Sequence, residues 1–498
     1  MDNKFKNQGY SKFSRDIFWL SLSQILLALF GIITLPALTK TYGAELYGLW
    51  SQIFITVNLL YPILTLYFGS AIIRYLSGEN DKKVTSQEIA GTLFTILIFI
   101  ILLILFSIIF SKELSIFLFK SYGFASFIPL MVIWAGANAL YYHLISYMRI
   151  QGRIKFLSML NLACSGLQLS LLVILALLKY PLSIIVISQI LIEIIFVLLV
   201  YILVFREIGF SLPNFRNIPK YLSFSLPQIP GSVLMWILNY SDRYFIIYYL
   251  NLVEVGIYSV SYGLGSLITL FYAPISFVIY PVISKCWNNG EFEEVNRYLE
   301  YSTKIFLAFS IPASLGLYVL ATPLLKILTT SQFVVGGELV LLVALGTIFL
   351  GLFQINIYII LLVQQTRWIP LITGLSSVIN ILLNIILIPK TGITGAAIAT
   401  LISYFILAVI VSYWARKEVS YHIDLKFLLK VIIASIIMSI FINILLIILV
   451  KSVILKILLS VLMGSIIYFT LLFIFRAFTE SEKKFIHSTY NDLKINLF

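Results

Sequence analysis

GTLFTILIFIILLILFSIIF, Gly91 to Phe110, is a stretch of sequence without a single charge. As an α-helix such a run rises about 30 Å, the thickness of the hydrocarbon core of a bilayer. Runs like it recur from one end of the chain to the other. Over 498 residues the chain is 61% hydrophobic and only 11% charged, which lies outside the range of soluble domains. The sequence therefore predicts an integral membrane protein with no soluble domain left over.

Between charged, proline and glycine breaks, the apolar runs give fourteen candidate helices, beginning near residues 17, 46, 89, 124, 157, 182, 222, 255, 304, 339, 368, 395, 428 and 457. With a cytoplasmic N-terminus, 25 of the 34 Lys and Arg residues fall on inside segments, 8 on outside segments, and Arg243 alone within a span. The positive-inside rule then predicts a multi-pass protein of the cell membrane with both termini cytoplasmic. This topology absorbs the net charge of +13, and no nucleic-acid partner is inferred. The basic N-terminus, MDNKFKNQGYSKFSRD, runs into a full-length span without a small-residue cleavage site and reads as a retained first helix. Outer connections are short, such as Lys179-Tyr180-Pro181, and leave no room for an external catalytic domain. The longest inner connection, KCWNNGEFEEVNRYLEYSTK from Lys285, reads as a short amphipathic helix at the interface.

The chain also repeats itself. SLSQ (Ser21 to Gln24) is echoed by SLPQ (Ser225 to Gln228), and GLWS (Gly48 to Ser51) by GIYS (Gly256 to Ser259), with Gly78-Glu79 and Gly290-Glu291 near the ends of the spans that follow. Two six-helix halves of like topology are expected, related by an axis along the membrane normal, with spans 13 and 14 as an appendage. The boundaries that follow are a cytoplasmic N-terminus at 1–16, a first lobe of helices 1–6 at 17–205, and a cytoplasmic linker at 206–221. A second lobe of helices 7–12 at 222–414, helices 13–14 at 428–475 and a cytoplasmic tail at 476–498 complete the chain.

Enzyme chemistry is scarce. There is no GxxxxGK[ST], HExxH, CxxC or paired-aspartate motif, and the three histidines and two cysteines are scattered. No enzyme activity, cofactor or metal is expected. An ion gradient, the membrane potential or consumption of the substrate on the far side is left as the driving force.

What stands out is LNYSDRYFIIYYL, Leu238 to Leu250, which sets Asp242 beside Arg243 inside span 7. A charge at a helix centre in the membrane costs about 2.5–3.5 kcal/mol on insertion scales, so its presence points to use. Neighbours on a helix point about 100° apart, so the two are not expected simply to neutralise one another. Asn239, Asp242 and Arg243 form a polar stripe that must face protein or a wet cavity. A buried pair bridging to another helix is one reading; the other is that Arg243 binds an anion, since guanidinium matches phosphate oxygens in bidentate fashion. Glu193, in the middle of span 6, is a protonation site or an acid hydrogen-bonded to a neighbouring helix. Lys40 and Arg74 sit at the ends of spans 1 and 2, where snorkelling to the interface is a sufficient explanation.

LPALTKTYGAELYGLWSQ (Leu35 to Gln52), GSAIIRYLSGE (Gly69 to Glu79), SDRYFIIYYLNLVEVGIYSVSYGL (Ser241 to Leu264) and IPKTGITGAAIATLIS (Ile388 to Ser403) resemble the polysaccharide transport family of lipid-linked oligosaccharide flippases, within the multidrug/oligosaccharidyl-lipid/polysaccharide superfamily. The resemblance covers nearly the whole chain, and the order and spacing of the motifs are its specific part. It implies an all-α polytopic membrane protein of about 14 transmembrane helices, with two pseudo-symmetric, MATE-like six-helix lobes around a central cavity plus two C-terminal helices. The implied activity is turning a polyprenyl diphosphate bearing a short glycan from the cytoplasmic to the outer leaflet, by alternating access, for surface polysaccharide such as O-antigen. The implied cationic site maps onto Arg243, then Lys40 and Arg74, with Asn239 beside them; the family more often has Arg at the Lys40 position, which puts a bidentate contact there in question. Asp242 and Glu193 are the ion-coupling candidates, for H+ or Na+. Membrane lipid and a glycan polymerase or other assembly enzymes are candidate partners. The alternatives are a MATE-type cation or multidrug antiporter, the flippase of the peptidoglycan lipid precursor, and a membrane scaffold for glycan-assembly enzymes.

Overall fold

The computed structural model describes residues 2–419, 424–448 and 452–477, with side chains from Leu26 onward apart from residues 28, 29, 32 and 277. The expected tail beyond Ala477, together with His422 and His487, lies outside them. The described residues are helical throughout, without a strand. In chain order the helices are α1 (Asp2–Leu64), α2 (Phe68–Leu76), α3 (Lys82–Ile109), α4 (Ser111–Phe119), α5 (Phe127–Ile150), α6 (Ile154–Leu177), α7 (Leu182–Ile208), α8 (Ile218–Ser225) and α9 (Ile229–Tyr240). They continue as α10 (Asp242–Tyr249), α11 (Leu252–Gly265), α12 (Thr269–Asn288), α13 (Phe292–Leu328), α14 (Gly337–Leu362), α15 (Trp368–Thr391), α16 (Ile393–Glu418), α17 (Leu425–Ile448) and α18 (Val453–Ile474).

Twelve helical stretches among the described residues are long and apolar enough to cross a membrane. The two missing from the expected fourteen are the first and the seventh. The first and second spans run together in α1, a 63-residue stretch broken at Gly43, whose φ of 71° and ψ of −173° suit a residue without a Cβ. The seventh is cut into α8, a 3₁₀ turn at Leu226–Gln228, α9 and α10. Pro227 and Pro230 remove backbone donors there and prevent one continuous ladder.

The connection from Lys285 differs from expectation. Lys285 to Asn288 close α12, and Phe292 to Lys304 open the 37-residue α13, which runs on into the membrane without a break. Only the turn at residues 289–291 separates the two spans. No helix breaker stands between Phe292 and Pro312, and Val295 and Leu299 are buried on one face, so nothing detaches an interfacial helix from the span that follows.

The chain divides into two compact units, one from Phe18 to Ile257 and the other from Tyr258 onward together with the first 17 residues. In the former, α5 is the central helix, packed against α2, α3 and α7, with α6 on α7. In the latter, α16 packs on α14 and α15, and α13 on α14, α17 and α18. Tyr468 fastens α18 to α13 by donating its hydroxyl to the Ala308 carbonyl, 2.6 Å away.

Within the first unit, the second arm of α1 crosses the start of α11 with no side chains between them. A Cβ on Gly48 would lie 2.0 Å from the Leu252 carbonyl oxygen, and a Cβ on Gly256 would lie 2.1 Å from that of Ala44. Gly48 and Gly256 are the glycines of the repeated GLWS and GIYS, and Ala44 and Leu252 stand four residues before each. The crossing is thus reciprocal, as in a two-fold contact, where residue i touches j and j touches i. Small residues permit this approach of two backbones in a membrane.

Candidate functional site

The interruption of the seventh span decides the geometry around Arg243. At Ser241 a new helix begins, so Asp242 and Arg243 hold the first positions of α10. Backbone N–H groups at a helix start lack partners within the ladder, and an acidic side chain there is drawn onto them. Asp242 Oδ1 accepts from the Arg243 backbone N–H at 2.9 Å and from the Arg243 guanidinium, through Nη1, at 2.7 Å. The same Nη1 donates to the Asn239 carbonyl oxygen at 3.0 Å, and the guanidinium lies over the Tyr240 ring, 5.5 Å from its centroid. Arg243 is 3% exposed and Asp242 2%.

The expectation that these neighbours would not neutralise one another is therefore overturned. It assumed an unbroken helix; the break at Ser241 lets the carboxylate fold back and meet the guanidinium. The polar stripe survives in another form, with the carbonyl of Asn239 among the acceptors of Arg243.

The second arm of α1 flanks this segment. Trp236 Nε1 donates to the Ile55 carbonyl at 3.1 Å, and the hydroxyls of Thr56 and Tyr244 lie 2.7 Å apart. The fully buried Gln52 sits one turn before Thr56.

The other basic candidates lie beyond either end of this arm. Lys40 is exposed just before the Gly43 break, and Arg74 is exposed at the end of α2, over the Phe224 ring at 5.3 Å. Residues 44–64, which as a helix rise about 30 Å, lie between them in the chain, together with the turn at 65–67 and most of α2.

Glu193 is 4% exposed and bridges α7 to α6. Its Oε2 accepts from Gln168 Nε2 at 2.9 Å and from the Cys164 thiol at 3.7 Å. Gln168 is held in turn by Gln189, whose Nε2 donates to its carbonyl at 3.2 Å.

Two polar groupings escaped the sequence reading. Glu88, near the start of α3, is buried and takes both Asn214 Nδ2 at 3.0 Å and Asn217 Nδ2 at 2.8 Å on Oε1. The segment between α7 and α8 thereby covers α3. The available signal was Gly91, one turn beyond Glu88, where a Cβ would meet the Asn214 carbonyl at 2.2 Å. On α15, Thr373, Ser376, Ser377, Asn380 and Asn384 form a buried polar ladder at helical spacing, with Asn384 Nδ2 donating to Asn380 Oδ1 at 2.9 Å. Among the described residues no group of three His, Cys, Asp or Glu side chains could hold a metal ion.

Among the described residues, a dozen helices long and apolar enough to cross a membrane, one further span broken at a buried ion pair, and buried polar rows inside both units define a multi-pass membrane protein. The chain belongs to the polysaccharide biosynthesis protein family, whose sequence pattern matches residues 13–287; the MatE pattern matches residues 227–386. A relative in Haloferax volcanii, named a probable low-salt glycan biosynthesis flippase, Agl15, is 21% identical over 272 residues, which is 55% of this chain and 58% of the relative. The chain spans about half the length, or less, of the curated relatives it matches. The fold is that of the lipid II flippase MurJ in its inward closed conformation, with a TM-score of 0.77 at 20% identity over 92% of this chain and 98% of that one. An inward-facing multidrug resistance MATE family transporter follows the same fold, with a TM-score of 0.61 at 18% identity over 81% of this chain and 98% of that one.

Proposed function

We propose that the protein turns a polyprenyl-diphosphate-linked oligosaccharide from the cytoplasmic to the outer leaflet of the cell membrane, by alternating access, for surface polysaccharide biosynthesis. The observation that carries this reading is the Arg243–Asp242 pair, buried where a charge is costly and built at a break in a membrane span. The family and the flippase relative support the direction of the reading.

In this mechanism the diphosphate competes with Asp242 for the guanidinium. A diphosphate brings more negative charge and more oxygens to the planar fork than one carboxylate does. Asp242, displaced, then takes up a proton or Na+ from one side of the membrane. Return of Asp242 to Arg243 expels both, which ties the cargo to the ion. Lys40 and Arg74, beyond either end of the second arm of α1, hand the head group on and off. Glu193 is the second coupling candidate. Both termini lie in the cytoplasm.

The test uses cells depleted of the protein, whose polyprenyl diphosphate oligosaccharides are extracted and quantified, with sidedness read by an impermeant glycan-modifying reagent. Accumulation on the cytoplasmic leaflet is expected, reversed by the wild-type chain and not by Arg243→Ala. Full export by a well-folded Arg243→Ala protein overturns the role of Arg243. The MatE match over residues 227–386 favours a second reading, an antiporter of cationic drugs. Unchanged lipid-linked glycan with altered sensitivity to cationic drugs would establish that reading instead.

A further inference from the structure

Helix α5 is buried on most of its surface, with Met131, Trp134, Ala135, Ala139, Tyr141, Leu144, Ile145 and Met148 all inside the first unit. One stripe stays open. Asn138 and Tyr142 lie one turn apart, Arg149 follows two turns further along the same face, and Tyr142 and Arg149 are exposed. The second arm of α1 meets this stripe with one of its own, Asn58 and Tyr61, at i and i+3. The Tyr61 and Tyr142 rings stack with centroids 5.0 Å apart and an interplanar angle of 25°.

An Asn–Tyr–Arg stripe running from the middle of a membrane helix to its end does not face acyl chains. The amide of Asn138, in the middle of α5, would lose its hydrogen bonds to water against acyl chains, whereas Arg149, in the last turn of the helix, reaches the interface. The stripe therefore faces water or a polar ligand. Its position narrows the ligand: the same arm of α1 that carries Asn58 and Tyr61 holds Thr56 against the hydroxyl of Tyr244, the neighbour of Arg243, at 2.7 Å. The polar wall thus continues along α1 from the contact that borders the residue proposed to hold the diphosphate.

We propose that Asn58, Tyr61, Asn138, Tyr142 and Arg149 form a carbohydrate-binding wall that receives the glycan of the substrate, with the Tyr61–Tyr142 stack as its platform. A sugar ring has an apolar C–H face and a hydroxyl rim. Amphipathic tyrosines suit the face, and amide and guanidinium groups suit the rim. The inference rests on the flippase reading above and adds to it that recognition of the sugar is separate from recognition of the diphosphate.

The purified full-length protein in nanodiscs is titrated with two probes, a short-chain prenyl diphosphate and the same molecule carrying one N-acetylglucosamine. Wild type is expected to prefer the sugar-bearing probe. Tyr142→Ala lowers affinity for that probe about tenfold, the worth of one good aromatic contact, and leaves the bare diphosphate unchanged. Tyr142→Phe, which keeps the ring, retains wild-type affinity. Equal effects of Tyr142→Ala on both probes, no effect on either, or a loss in Tyr142→Phe as large as in Tyr142→Ala overturns the wall. Wild type binding neither probe brings down the flippase reading, and the wall with it.

Discussion

Two carboxylates buried in membrane spans, Asp242 and Glu193, solve the same problem with different partners. Asp242 has a full counter-charge next to it in sequence, made reachable by the break at Ser241, and both members of the pair are almost fully buried. Glu193 meets an amide and a thiol from a neighbouring helix. In the first case the environment is organised around charge, and either member alone is a liability. In the second it is organised around hydrogen bonding, which a neutral side chain of the same shape can reproduce. A single partner exchange at Asp242 thus changes the electrostatics of its span, whereas Glu193 ties two helices together.

The largest effect should come from Asp242→Ala. It strands a buried guanidinium, and loss of one partner of a buried pair costs about 3–5 kcal/mol. Thermal unfolding in detergent should show this, and Asp242→Ala combined with Arg243→Leu should recover most of the loss because no charge is left unpaired. A stable Asp242→Ala protein would mean that other groups satisfy Arg243 and would end the contrast. Glu193→Leu comes next, at about 1–3 kcal/mol, since the Gln168 amide and the Cys164 thiol lose their acceptor in a buried setting. Glu193→Gln keeps a carbonyl in place and should cost less than about 1 kcal/mol; a loss as large as that for Asp242→Ala would show that the charge of Glu193 matters to the fold.

Asp424 calibrates the comparison from the aqueous side. Its Oδ1 accepts the Phe427 backbone N–H at 3.0 Å, and Lys304 Nζ donates to its Oδ2 at 3.1 Å, with 39% of the side chain exposed. The backbone N–H of Phe427, then Lys304, hold this carboxyl below its ordinary pKa. A lowered value places the stabilisation above the unfolded pKa and removes it as pH falls through the folded one. Asp424→Asn should therefore cost at most about 1 kcal/mol at neutral pH, solvent screening included. Its unfolding temperature should converge on that of wild type below about pH 4.

The spans were legible because lipid leaves few options: a long uncharged run is a helix across the membrane. The seventh span was read as one helix although Pro227 and Pro230 stand in it, and the bridging role of Glu193 was one of two readings its position allowed. The pairing of Asp242 with Arg243 was not legible, because it depends on where the hydrogen-bond ladder restarts, one residue before the pair. Glu88 was missed for a different reason. It lies only two turns into α3, where an acid is ordinary, and its burial comes from a segment more than a hundred residues later that folds over Gly91. The α15 ladder is made of Ser, Thr and Asn, residues that a count of charges passes over.

The crossing of Gly48 and Gly256 bears on how the two copies of the repeat have been able to diverge. Each backbone occupies the room that the other's missing side chain leaves, so a methyl group added to either copy strikes a carbonyl oxygen of the other. Elsewhere the copies have drifted until little more than tetrapeptides match. Here neither can change alone, and a compensating change is closed off as well, since no residue is smaller than glycine. An insertion between Ala44 and Gly48, or between Leu252 and Gly256, would break the reciprocity at once. The four-residue difference in length between the copies falls upstream, after Gln24 and Gln228.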